Sequence, residues 1–223
     1  MFYLPVGFLL FLAFILLLPF ILFGLTLDVV ELAVAKLGFS TNLAFLLLAA
    51  VVIGGMINIP LYQRESTVTA MPQDITDLWL RQFWGIPLRQ MTQKTVVALN
   101  VGGGLIPILL ALYQLTRGHA IAILFVTVII TVVSYFSAHI VPGIGIQMNA
   151  LVAPLTAVIG AWLLAPDAAP QVAFAGGILG TLIGADLLHL PEIERMSPGV
   201  LSIGGAGVFD GIALCGLFAL LLT

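Results

Sequence analysis

The feature that most constrains this chain is the length of its apolar runs without charge. Residues 118 to 166 form 49 consecutive positions that contain no Asp, Glu, Lys or Arg. A helix needs about 20 apolar residues to cross a hydrocarbon layer of roughly 30 Å, so this run is long enough for two crossings. Residues 1 to 27, 37 to 63 and 95 to 116 are also free of charge.

The composition is that of a membrane protein. Hydrophobic residues make up 61% of the chain and charged residues 8%, which leaves too little polar surface for a soluble domain. Backbone amides in lipid must be satisfied within their own segment, so we predict an all-α, polytopic helical bundle rather than a barrel. A net charge of -3 without a basic patch argues against a nucleic-acid partner. The single cysteine, Cys215, excludes an internal disulfide and a cysteine-based zinc site.

We predict one transmembrane domain over residues 1–223 with about seven spans. The first apolar run lacks a basic n-region and is longer than a signal peptide needs, so we interpret it as a retained span. Pro142, Gly143 and Gly145 separate the fourth span from the fifth. The predicted spans are residues 2–26, 41–63, 96–116, 119–138, 147–165, 170–190 and 203–223.

The one long polar connection, residues 64–94, indicates the orientation. This loop and the 191–202 loop carry five Lys and Arg residues, whereas Lys36 and Arg117 are the two on the other side. The positive-inside rule therefore places the N-terminus and the 64–94 loop in the cytoplasm of a prokaryotic plasma membrane. Within the loop, aromatic and basic residues of segment 77–89 predict an interfacial helix on the bilayer.

Two acidic residues, Asp186 and Asp210, fall inside apolar segments. They lie at depths of roughly 7 and 10 Å from span ends that share one side of the membrane. A carboxylate in lipid costs at least a few kcal/mol, so such residues usually face the bundle interior or a water-filled cavity and indicate function.

Glycine spacing indicates where helices approach closely. Gly176, Gly180 and Gly184 recur every fourth residue, and Gly207 and Gly211 repeat the interval. Close packing of these helices would bring the two aspartates within reach of each other. Two neighbouring carboxyls that share one proton form the acid and base pair needed to activate water against a peptide bond.

This arrangement resembles the intramembrane aspartyl proteases of the presenilin, signal-peptide-peptidase and prepilin-peptidase group. In that group two spans each offer an aspartate, and one aspartate follows Gly-x-Gly. Here the matching residues are Gly205-Ala-Gly207 before Asp210, with Asp186 as partner. The chain departs from the pattern because Val208 and Phe209 separate the glycine from the aspartate.

A second resemblance covers nearly the whole chain. Four glycine-rich motifs are similar to a bacterial and archaeal membrane-protein family catalogued as domain of unknown function 1614. They are Gly-Gly-Met-Ile-Asn-Ile-Pro60, Leu-Asn-Val-Gly-Gly-Gly-Leu-Ile-Pro107, Gly-Thr-Leu-Ile-Gly-Ala-Asp186 and Ser-Ile-Gly-Gly-Ala-Gly-Val-Phe-Asp-Gly211. The resemblance implies a helical membrane fold and no particular activity.

Histidines near the aspartates leave a metal site as an alternative. His189 lies three residues after Asp186, and with His139 and Asp210 it offers nitrogen and oxygen ligands suited to zinc or iron. A hydrogen bond of His189 at the membrane interface is the favoured interpretation, so we assign no metal and no cofactor. Four other polar residues near span ends favour helix-to-helix hydrogen bonds or a polar path: Asn58, Asn100, Gln147 and Asn149.

Three functions remain open. The first is an intramembrane aspartyl protease that acts on membrane proteins through Asp186 and Asp210. The second is a transporter or channel in which the same aspartates bind or relay a small ion, solute or proton. The third is a structural or assembly protein in the bilayer, and we assign no oligomeric state. The residues expected to support the site are Gly184, Gly205, Gly207, Gly211, His189 and Asn100.

Overall fold

Helices make up most of the described residues. The computed structural model describes residues 6–69, 90–141, 145–196, 199–205 and 211–223. The α-helices are α1 (Val6–Lys36), α2 (Thr41–Gly54), α3 (Ile106–Leu115), α4 (Ala120–Ser137), α5 (Val152–Leu164), α6 (Ala169–Thr181), α7 (Leu190–Met196) and α8 (Gly211–Leu222).

Two of these helices adjoin wider, π-helical segments. Val101–Leu105 leads directly into α3, and Leu182–Leu187 continues α6. A 3-10 turn at Pro166–Ala168 precedes α6. The result is one helical stretch over Pro166–Ile193 that runs 28 residues.

Three helical stretches in the described part of the chain are long and apolar enough to cross a membrane: Phe11–Lys36, Ala120–Ser137 and Pro166–Ile193. Length and composition thus support the first, fourth and sixth predicted spans. Three further apolar helices have only 10 to 17 residues: Thr41–Gly54, Val101–Leu115 and Val152–Leu164. The predicted interfacial helix lies largely in segment 70–89, outside the described residues.

A three-stranded sheet interrupts the helical bundle. β1 (Asn58–Thr69) pairs antiparallel with β2 (Gln90–Asn100), from Asn58 opposite Asn100 to Thr69 opposite Gln90. Two short strands, β3 (His139–Val141) and β4 (Gly145–Gln147), form a separate pair. β5 (Gly199–Ile203) pairs with β2 in parallel. The expectation of an all-α chain therefore holds for most of the described residues but not for these strands.

The strands divide three predicted spans. The second span, residues 41–63, is helical only to Gly54 and continues as β1. The third changes from β2 to helix after Asn100, and the seventh begins with the end of β5. Adjacent glycines at 54 and 55 disfavour continuation of the helix, and Pro60 cannot donate a backbone hydrogen bond. Apolar content predicted helical membrane spans at these positions, whereas glycine and proline decide where the helix stops.

The glycine stripe of α6 packs directly against α4. A Cβ atom at Gly176 would lie 2.6 Å from Val126 Cγ1, and one at Gly180 would lie 2.5 Å from Ile130 Cβ. At Gly184 the added atom would collide with the carbonyl of Thr131. The predicted close approach at every fourth residue is therefore confirmed for these three glycines, but the partner is α4 and not the seventh predicted span, which these glycines were expected to bring close. Residues Val172 to Thr181 of α6 are all buried, so this helix occupies the centre of the bundle.

The packing also gives the direction of α8 relative to α6. A Cβ atom at Gly177 would lie 2.9 Å from Cys215 Sγ, and one at Gly216 would lie 2.8 Å from Ile178 Cδ1. Lys36 joins the other ends, because its Nζ donates to Leu220 O and its carbonyl accepts from Gln171 Nε2, both at 2.7 Å. The two helices are antiparallel. We call the end of the bundle with Gly211 the sheet end and the end with Lys36 the far end.

Candidate functional site

Three polar side chains meet where the sheet joins the helices. Asn100, with no exposed surface, donates from Nδ2 to Gly55 O at 2.8 Å and to Asn58 Oδ1 at 3.1 Å. Its Oδ1 accepts from the backbone N–H of Gly103 at 2.8 Å, so it caps the π-helical segment. The hydroxyl of Ser202 also donates to Asn58 Oδ1. We call Asn58, Asn100 and Ser202 the polar cluster.

Glycine backbones surround the polar cluster. A Cβ atom at Gly102 would collide with Val51 O and Gly55 N. Gly204 has a φ of 70°, and a Cβ atom there would lie 2.5 Å from Gly104 N. Both positions need glycine, the first for close approach and the second also for its left-handed backbone. Three of the four glycine-rich motifs, from separate parts of the sequence, thus converge at one place.

The fourth motif carries Asp186 in the π-helical continuation of α6. π-helical segments are frequent at functional sites because they displace side chains from the regular helical positions. Asp186 is half-buried, and its Oδ2 atom is buried. The preceding Gly184 holds this segment against α4.

His189 closes the same segment. Its Nδ1 lies 3.1 Å from both Gly184 O and Ala185 O, and only 8% of the residue is exposed. Its ring stacks on Tyr135 with centroids 4.8 Å apart. These contacts give His189 a local role, because Nδ1 in its N–H form satisfies carbonyls that the π-helical turn leaves open. Within the described ranges, no group of three or more His, Cys, Asp or Glu side chains is arranged to hold a metal ion.

The antiparallel register brings the start of α8 near the level of the Asp186 segment. Since Gly177 meets Cys215, Gly211 lies one helical turn further, opposite Thr181 or the following turn. Asp210 itself lies outside the described residues, as does Gly207.

Apart from Gly207, the predicted supporting residues lie in three places at the sheet end: the polar cluster with its adjoining turn, the Asp186 segment and the start of α8. Asn100 lies in the polar cluster, and Gly205 follows Ser202 in a turn in which its N–H donates to Ser202 O at 3.0 Å. Gly184 and His189 belong to the Asp186 segment. Gly211 begins α8. Ser202 was not among the predicted site residues, although the similar strings Asn-Val-Gly-Gly and Ser-Ile-Gly-Gly indicate two related turns at strand ends.

The fold and this site define a mostly helical protein with membrane-length apolar helices and a glycine-rich polar junction at one end. A family model described as "Protein of unknown function (DUF1614)" matches residues 52–222. The chain therefore belongs to this family, as its glycine-rich motifs predicted. No curated protein and no solved structure matches the chain.

Proposed function

We propose that this protein is an intramembrane aspartyl protease whose catalytic pair is Asp186 and Asp210. The observation that carries the proposal is the register of α6 and α8. It puts Gly211, the neighbour of Asp210, within about one to two helical turns of the level of Asp186. For one water to bridge the two carboxyls, their difference in level must be about one turn, roughly 5.4 Å, rather than two.

The proposed chemistry uses one proton shared between the two carboxyls. The ionised carboxylate accepts a proton from water as the water attacks the peptide carbonyl, and the protonated carboxyl transfers its proton to the carbonyl oxygen. The resulting diol then collapses, and its amine leaves with a proton from the pair. The half-buried position of Asp186 suits this role, since a reacting carboxyl needs both a partner and access to water.

The location of the helix irregularities favours hydrolysis over transport. A transporter built from broken helices binds its substrate near the bilayer midplane. The Asp186 segment begins 16 residues after Pro166, or roughly 24 Å along the helix from the far end. That is close to the full hydrocarbon thickness of about 30 Å, so the segment would lie near one membrane surface.

The basic residues support a cytoplasmic position for this surface. Lys94 in β2 lies opposite Glu65 in β1, and Arg64 is adjacent, so the sheet end carries cations. Among the described residues, Lys36 and Arg117 are the Lys and Arg residues of the far end. The positive-inside rule then orients the sheet end, and with it the proposed catalytic pair, towards the cytoplasm of a prokaryotic cell.

The test is cleavage of reconstituted single-span reporter proteins by the purified chain. The reporters carry a fluorophore and a quencher on either side of an apolar segment. Asp186→Asn and Asp210→Asn should each lower the cleavage rate at least a hundredfold, because each removes one member of the acid and base pair. Asp28→Asn is the matched control, since Asp28 is exposed on α1.

Two results would contradict the proposal. Cleavage that survives both substitutions would show that the aspartates are not its catalysts. If the chain cleaves no reporter but conducts protons or ions into liposomes, and both substitutions abolish the flux, the transporter alternative replaces the protease. Retention of the folded state by every variant, measured by its unfolding midpoint, is the condition for either conclusion.

A further inference from the structure

A second polar site lies at the far end of the bundle. It is a cavity of about 170 Å³ between the end of α1, the end of α3 and the start of α6. Its polar lining consists of Gln114, Arg117, His119, Asp167 and Gln171. None of these residues belongs to the polar cluster or to the Asp186 segment.

Two glutamine amides form the buried part of this lining. Gln114 is 1% exposed, and its Nε2 donates to Leu37 O at 3.2 Å. Gln171 Nε2 donates to Lys36 O at 2.7 Å. These bonds satisfy carbonyls at the C-terminal end of α1 and fix which way each amide points.

Both glutamine oxygens lack a hydrogen-bond donor. Oε1 of Gln114 and Oε1 of Gln171 are buried and accept no hydrogen bond within the described part of the chain. A buried polar atom without a partner costs about 1–3 kcal/mol, so two at one cavity require an explanation. A bound group that donates several hydrogen bonds would satisfy both.

The exposed part of the lining carries opposite charges. Asp167 makes no ion pair or hydrogen bond with the described residues, although it shares the cavity with Arg117. Arg117 donates from Nη1 to the Tyr113 hydroxyl at 3.1 Å. Its Nη2 lies beside Gly38, which also lines the cavity, at 3.6 Å from where a Cβ atom on that glycine would be. A ligand with only a positive charge would be repelled by the guanidinium of Arg117. A ligand with only a negative charge would be repelled by the carboxylate of Asp167 and by the two amide oxygens.

We propose that this cavity binds a small zwitterion with a primary ammonium and a carboxylate, as an α-amino acid has. The ammonium donates to Gln114 Oε1, Gln171 Oε1 and the Asp167 carboxylate, and the ligand's carboxylate accepts from Arg117. The C-terminus of α1 also favours this arrangement, because it offers partial negative charge to the ammonium.

The experiment measures binding of glycine and L-alanine to the purified full chain in detergent micelles. Calorimetry and the unfolding midpoint should both show a saturable interaction, because a ligand of the folded state raises that midpoint. Methylammonium and acetate, each with half of the zwitterion, should bind at least tenfold more weakly. Asp167→Asn and Arg117→Gln should each weaken glycine binding at least tenfold, and both positions are exposed and so spare the core.

Asp28→Asn, a neutralised carboxylate of α1 away from this cavity, should leave the affinity unchanged. Absence of any amino-acid binding by the unaltered chain would overturn the proposal and leave ordered water as the partner of the glutamines. Methylammonium that binds as tightly as glycine would replace the zwitterion site with a cation site. Equal weakening by Asp28→Asn would show that the effect is not local.

Discussion

Two helical stretches of this protein are similar in length and differ in their surroundings. Phe11–Lys36 and Pro166–Ile193 are both apolar enough to cross a membrane. In the most apolar part of the first stretch, no residue is buried in the protein. In the most apolar part of the second, 67% of the residues are buried. The first exposes large side chains such as Leu16 and Phe20, and the second presents glycines at every fourth position to α4.

This difference shows that an apolar sequence carries two signals, one for entry into lipid and one for close packing between helices. Hydrophobicity predicts that a helix enters lipid, and both stretches meet that condition. Small residues at regular spacing predict where a second backbone approaches, because van der Waals packing drives helix association where lipid is as apolar as the protein. The proposed catalytic residue Asp186 lies on the second stretch, where neighbours on several sides can hold a carboxyl in one position.

The strongest test of this comparison substitutes one glycine from each stretch. Gly180→Leu should lower the free energy of unfolding by about 3 kcal/mol or prevent assembly, because overpacking costs 1–3 kcal/mol and the backbone carbonyl of Thr127, 2.8 Å from the added Cβ, cannot rotate away. Titration from mild detergent into sodium dodecyl sulphate measures this change.

Gly24→Leu in α1 is the matched control. A Cβ atom at Gly24 has no heavy atom within 4 Å. The substitution should therefore leave the unfolding free energy unchanged or raise it by about 0.5 kcal/mol, since leucine favours helix over glycine. Equal destabilisation by the two substitutions would show that the glycine stripe has no special role in packing.

The sequence predicted the helices better than the sheet and its connection to them. Residues 119–138 were expected to be a span and form α4 almost to the residue, because that run is uninterrupted by glycine or proline. Segments 58–69 and 90–100 were assigned mostly to spans and to the polar loop, yet they form β1 and β2. Thr92, Thr95, Val96 and Val97 are β-branched residues typical of strands, but the uncharged apolar run that begins at residue 95 also has the composition of a span.

The candidate site was predictable in its parts and not in its assembly. Asp186 and Asn100 were identified because polar groups in apolar runs are costly. The surroundings of Asn100 depend on pairings between distant segments, such as that of Ala98 with Ser202. A pattern along one segment cannot specify such a pairing. His189 was expected to hydrogen-bond at the membrane interface, whereas the contacts that the structure gives it are with Gly184 O and Ala185 O of its own helix.

A second, smaller effect is expected at the polar cluster. Asn100→Leu should reduce the unfolding free energy by about 2–3 kcal/mol, because it leaves Gly55 O and the Gly103 N–H without their buried partner. Asn149→Leu is the control, since Asn149 is exposed and its side chain accepts only from Leu151 N. The same measurement should show a change of no more than about 0.5 kcal/mol there. Similar losses at both asparagines would mean that burial of the cluster does not determine its contribution.

The smallest effect is expected at the end of the central helix. His189→Phe keeps an aromatic ring to stack on Tyr135 but removes the Nδ1 hydrogen bond, so we expect a loss of about 1 kcal/mol in unfolding free energy. His139→Phe should have almost no effect, because His139 is exposed and its Nδ1 lies 2.9 Å from the carbonyl of Ser137, two residues away. Both variants are also titrated with Zn²⁺. If Zn²⁺ stabilises the unaltered chain and His189→Phe abolishes that stabilisation, His189 is a metal ligand rather than a cap. The proposed mechanism, which uses two carboxyls and no metal, would then be contradicted.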